Sequence, residues 1–169
     1  VSEIYKRLEV QSKIDAENIS VAAFAAFISE VKKKPTAYNF CPNPIDFIHT
    51  VNLSFYLNDS VAFVEGIVEE LKEIKTIWEP SGKTTVSGFQ SPKTINLFEN
   101  PSEKIGQLRS IIIDEIAAYY LKFQDEQCSY IQKFPTTQNL YGWTVILKRQ
   151  GYQDAHIHPG GWLSGVIYL

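Results

Sequence analysis

Apolar residues recur at helical spacing over residues 2–34, where Ile4, Leu8, Ile14 and Ile19 lead into the run from Val21 to Ile28. Asp15 or Asn18 can begin a second helix within this stretch, and Lys32-Lys33-Lys34 before Pro35 ends it. The pattern predicts an antiparallel helix pair in which Phe24, Phe27 and Ile28 meet apolar partners. Such a pair is the unit of helical-repeat arrays, although one pair is not itself a repeat.

Beyond a proline-punctuated loop, Tyr38–Asp46, the pattern changes. Phe47, Ile48, Val51, Leu53, Phe55 and Leu57 alternate in part as a half-buried strand would, which predicts a strand over Ile45–Leu57. Asn58-Asp59-Ser60 reads as a cap ahead of an amphipathic helix, Val61–Ile74. A turn at Glu79–Lys83 precedes extended segments within Thr84–Phe98, including Thr94–Phe98. Pro101-Ser102 opens a helix over Glu103–Gln124, with Ile105, Leu108, Ile112, Ile116, Tyr119, Tyr120 and Phe123 on one face. Leu140–Arg149 alternates as a strand, Gly151-Tyr152 turns, and Ala155–Leu169 reads as a last β-segment. Helices first and sheet later make the fold class α+β. The boundary near residues 35–44 divides a helical segment, 1–40, from a domain over 41–169.

Bulk properties narrow the partners. Hydrophobic residues at 44%, charged residues at 21% and a net charge of −3 over 169 residues are globular values. They offer no basic stripe for a nucleic acid. No apolar run reaches the ~20 residues a membrane-spanning helix needs. Cys41 and Cys128 are distant in sequence and form no metal-knuckle spacing, so they read as two reduced thiols of a cytoplasmic protein. The chain contains no methionine and stops inside an apolar, β-prone run, which suggests a piece of a longer domain.

The stretch that carries chemistry is Gln153–Leu169. In an extended strand His156 and His158 face the same way, roughly 6–7 Å apart by strand rise. Two imidazoles so placed can converge on one divalent ion. Pro159-Gly160-Gly161 breaks the strand beside them and leaves room for open coordination positions. Asp154 is a nearby carboxylate that precedes the histidines, and His49 reads as a structural or surface residue. Ser164 lacks the Gly-x-Ser-x-Gly elbow of a hydrolase, and Gly160-Gly161 lacks the lysine of a phosphate loop.

Trp143, Gly151-Tyr152-Gln153, His156-Ile157-His158-Pro159 and above all Trp162-Leu163-Ser164-Gly165-Val166-Ile167-Tyr168-Leu169 resemble a 2-oxoglutarate/Fe(II) oxygenase family whose members often follow tetratricopeptide repeats. The close resemblance covers about 30 residues, Leu140–Leu169. A looser one reaches back through Trp78-Glu79-Pro80, Thr84-Thr85, Gly88-Phe89-Gln90 and Leu97-Phe98.

It implies a double-stranded β-helix, the jelly-roll or cupin-like core, of which this chain would carry the first part. It also implies Fe(II) and 2-oxoglutarate, with His156 and His158 as metal ligands and Trp143, Trp162 and Tyr168 as candidate pocket wall. The usual iron site of such cores has a carboxylate where this chain has His158, and its late histidine and arginine have no counterpart here. The implied activity is a dioxygenase hydroxylating a small molecule or a protein, with no turnover expected of these 169 residues alone. The alternative is a non-catalytic jelly-roll module that binds a protein through its N-terminal helices.

Overall fold

The computed structural model describes residues 2–169. Its elements run α1 (Ser2–Ile14), α2 (Ile19–Lys32), α3 (Ser60–Lys72), β1 (Ile77–Trp78), β2 (Thr85–Gln90), α4 (Glu103–Phe123), α5 (Ser129–Gln132) and β3 (Val145–Gln153). Two short 3-10 turns, Pro44–Phe47 and Leu53–Phe55, come before α3. The class is α+β. The chain divides into two compact units.

The first unit comprises the residues up to Thr50, Ile116–Thr137 and Ile157–Gly165. It holds α1 and α2 and none of the strands. Asn18 caps α2, its side chain accepting from the Val21 amide at 3.1 Å, and Lys33 closes the helix in the left-handed region at φ 48. The Tyr38 hydroxyl ties the turn between the helices. It donates to the Asp15 carbonyl at 2.6 Å and accepts from the Asn18 amide at 2.8 Å. Leu8, Ala22 and Ala25 then join Tyr38, Phe40, Tyr119, Phe123, Cys128, Tyr130 and Ile131 in one core.

The inward stripe of α2 is Ala22, Ala25 and Ile28. The larger side chains of this helix fall on its other faces. Ile28 is buried as expected, but Phe24 and Phe27 are 47% and 61% exposed.

The second unit comprises Val51–Glu115, Gln138–His156 and Val166–Leu169. Asp59 caps α3 by accepting from the Ala62 amide at 3.0 Å, and Ser102 caps α4 by accepting from the Ile105 amide at 3.3 Å. Phe63 and Ile67 of α3 pack with Ile105 and Leu108 of α4. The sheet is antiparallel in the order β1-β2-β3.

Its register shifts in the middle. Val86 pairs with Tyr152 and Gly88 with Leu147, so Ser87 alone faces the four residues Lys148–Gly151. Ser87 and Gln150 take positive φ, 50 and 64. A Cβ on Gly151 would strike the Ser87 carbonyl oxygen, so only glycine allows this approach. Gly151-Tyr152 therefore marks a bulge within β3 rather than its end.

Three expected β-segments are not strands. Over Ile45–Leu57 local bonds win over extension: Pro44 starts one 3-10 turn, and the Asn52 side chain accepts from the Ser54 amide at 2.9 Å to close the other. Leu53 and Leu57 both pack against the core of Phe63, Ile67, Ile105 and Leu108, while Phe55 is 80% exposed. Thr94–Phe98 is bent by Asn96, whose side chain accepts from Phe98 and Gly142 amides at 3.2 and 2.9 Å. Ala155–Leu169 takes no part in the sheet, and a turn at its Pro159-Gly160 is closed by the Gly161 amide on the His158 carbonyl at 3.0 Å.

Candidate functional site

β2 and the end of β3 position the candidate residues. Thr85 and Gln90 lie five apart, which in an unbroken strand would put them on opposite faces. The irregular Ser87 between them changes the parity, and both are buried. The Thr85 hydroxyl donates to Gln90 Oε1 at 2.8 Å and accepts from Gln153 Nε2 at 3.2 Å. Beside them Ser91 and Thr144 are also buried and joined twice. The Ser91 amide donates to the Thr144 carbonyl at 3.0 Å, and the Thr144 amide donates to Ser91 Oγ at 3.2 Å.

Pairing runs one residue beyond β3, where the Asp154 amide donates to the Thr84 carbonyl at 2.9 Å. The chain then leaves the sheet. His156 and His158 therefore sit in the loop after β3 and not on a strand, so the period-two argument for their shared face does not apply. His156 is exposed and His158 half-buried.

His156 Nδ1 lies 2.7 Å from the Asp154 carbonyl oxygen. A carbonyl only accepts, so in this contact Nδ1 is the donor. This is the tautomer and support common among metal-ligating imidazoles. Two imidazoles suit Fe(II) as donors. Among the described residues, however, no group of three His, Cys, Asp or Glu side chains gathers to hold a metal. The Asp154 carboxylate is exposed, and the contribution of this residue to His156 is its backbone oxygen. His49 stands edge-on to the Tyr119 ring at 6.1 Å, in keeping with a structural role.

The three aromatic wall candidates differ in setting. Trp162 is a core residue of the first unit, edge-on to Phe40 at 5.3 Å and stacked on Tyr130 at 6.2 Å. Its indole N–H donates to the Tyr130 carbonyl at 3.1 Å. Trp143 is half-buried, 6.0 Å from the Tyr141 ring. Tyr168 is 89% exposed.

In the same core the Tyr119 hydroxyl donates to the Phe47 carbonyl at 3.0 Å, so the Tyr130 hydroxyl, 2.9 Å away, donates to it. Burial first, and then this bond, push the Tyr130 pKa well above its usual range; burial also raises Tyr119. Burial, followed by the nearby Cys128 and Asp46, pushes the Cys41 thiol up to about 12. The fold has thus brought the two free cysteines into one core.

The family model described as "Putative 2OG-Fe(II) oxygenase" matches residues 141–169. No curated protein and no solved structure matches the chain. The match spans all of β3 and the chain after it, and supports the resemblance at the level of the family. It carries the implication of oxidoreductase chemistry with iron and 2-oxoglutarate. Sequence reasoning missed the network of buried Thr85 and Gln90 with exposed Gln153. Its residues Thr85 and Gln90 lay within the stretches of the looser resemblance.

Proposed function

We propose that the chain carries part of the core of an Fe(II)/2-oxoglutarate-dependent dioxygenase. In this reading 41–169 belongs to a double-stranded β-helix domain and 1–40 is a helical segment of a repeat region before it. The match over residues 141–169, which contains His156-x-His158, carries the reading. His156 would bind iron through Nε2, oriented by the Asp154 carbonyl, and His158 would be the second ligand.

The reading requires a third donor besides these two. Bound there with 2-oxoglutarate, the iron would supply oxidative hydroxylation of a C–H bond on a small molecule or a protein. The two free thiols support a cytoplasmic location, and among the described residues no helix is long and apolar enough to cross a membrane.

Calorimetric titration with Fe(II) under anaerobic conditions, with and without 2-oxoglutarate, tests this. Binding is expected, together with its loss in His156→Ala. A chain that takes up neither iron nor 2-oxoglutarate overturns the reading.

One observation favours a second reading, a non-catalytic module with a protein partner. Phe24, Phe27 and Val31 form an exposed apolar stripe on α2, and Val10 and Ile14 are exposed on α1. Uptake of neither iron nor co-substrate, with retained folding, would put this reading in place of the first.

A further inference from the structure

We propose that α2 is a self-association surface through which two copies of this chain pair with their α2 helices antiparallel. The inference takes up the exposed stripe of that helix and rests on no property of the iron site. Ser20, Phe24, Phe27 and Val31 follow one another at intervals of four, three and four residues. That spacing is the seam of a helix that packs against another helix. All four are exposed, Phe27 by 61% and Val31 by 53%, whereas Ala22, Ala25 and Ile28 of the inward stripe are buried. Single exposed apolar side chains are ordinary on a protein surface, but three in line on one helix form a patch. Ala23, half-buried beside the seam, is small enough to let a second helix come close.

Charge decides the occupant and its direction. Asp15 and Glu17 precede α2, and Lys32-Lys33-Lys34 stand at its other end. All five are exposed. A parallel pair would set the lysines of both copies side by side. An antiparallel pair sets the lysines of each copy beside the acidic turn of the other, and it opposes the two helix dipoles favourably. The surface therefore complements itself, as a two-fold interface requires. Within the chain Lys33 pairs with Glu30 and Glu17 with Lys133. These pairs are exposed, so exchanging partners costs little.

A two-fold axis near Phe27 brings that ring against its counterpart, and Phe24 of each copy near Val31 of the other. The 14 residues of α2 make about 21 Å of helix. A contact of that length stays below about 1,200 Å², among weak and transient interfaces. The dimer thus forms and dissociates with concentration.

Sedimentation equilibrium of the whole chain from micromolar to millimolar concentration, with circular dichroism to check folding, tests this. A monomer–dimer equilibrium is expected. Phe27→Glu sets two carboxylates against each other at the axis, and should weaken the dimer by at least about tenfold. Its exposed position lets the variant fold. Phe24→Glu, with the same expected effect, is the second variant should it not. Lys34→Glu turns an attraction to Asp15 and Glu17 into a repulsion, and is expected to weaken the dimer about two- to fivefold. Phe55→Glu, at an exposed ring outside α2, is expected to leave it unchanged.

A chain that stays monomeric throughout overturns the proposal and leaves the seam to a helix of another protein. A dimer that survives whichever of Phe27→Glu or Phe24→Glu folds, or that Phe55→Glu weakens as much, lies elsewhere and overturns it too. An undiminished dimer in Lys34→Glu overturns the antiparallel pairing.

Discussion

Cys41, Tyr119 and Tyr130 show how single ionisable groups tie the first core to pH. Burial raises the Cys41 thiol from 9.0 to about 12, and Tyr119 and Tyr130 move up from 10.0 for the same leading reason. An acid whose folded pKa is raised loses its proton more readily in the unfolded chain. Above about pH 9 the unfolded state therefore binds fewer protons than the folded one, and stability falls as pH rises toward 12. Below about pH 9 these groups are protonated in both states and have no effect.

Urea midpoints followed by fluorescence should therefore be lower at about pH 10.5 than at about pH 8, and Cys41→Ala should flatten the dependence. Equal midpoints at the two values would contradict it. Tyr119→Phe isolates the hydroxyl pair instead. It removes the acceptor of Tyr130 and the donor to the Phe47 carbonyl, so a loss of about 1–3 kcal/mol is expected at neutral pH.

At the scale of elements, the middle of the sheet depends on a residue without a side chain. Gly151→Ala would push a Cβ against the Ser87 carbonyl and against the Lys148 backbone oxygen at 2.9 Å. These are backbone atoms and cannot rotate away, so about 1–3 kcal/mol is expected by analogy with overpacked sites. Hydrogen exchange should show the loss in β2 and β3 amides with α3 unchanged; full retention of protection would refute it.

The contrast with the helices explains what was readable in advance. Asn18, Asp59 and Ser102 cap their helices by bonding amides three residues on, so the sequence alone locates α2, α3 and α4. Strands need distant partners. Ile45–Leu57 and Ala155–Leu169 have strand-like composition, but the first is folded into 3-10 turns by Pro44 and Asn52 and the second takes no part in the sheet. The histidine pair was readable as residue types. Its placement beyond β3 and the Asp154 carbonyl on His156 were not, because both follow from a register that the Ser87 irregularity sets.

For the whole molecule the iron reading makes the metal a ligand of the folded state. A ligand that binds only the folded chain stabilises it by RT ln(1 + [L]/Kd), about 2.7 kcal/mol at a hundredfold excess over Kd. For a chain of this size that corresponds to a rise in melting temperature of about 5–10 °C. The unfolded chain keeps its histidines and binds some metal itself, so the observed rise should fall toward the lower figure. Ligation requires neutral imidazole, hence the rise should shrink as pH is lowered.

His156→Ala should abolish the iron-dependent part of the rise. The exposed position of His156 makes the substitution itself cost little, so the metal-free melting temperature should move by less than about 2 °C. Anaerobic melting of the unaltered and substituted chains, with and without Fe(II), reads all of this. An iron-dependent rise of equal size in the two chains would mean that iron binds elsewhere, and would remove His156 from the ligand set.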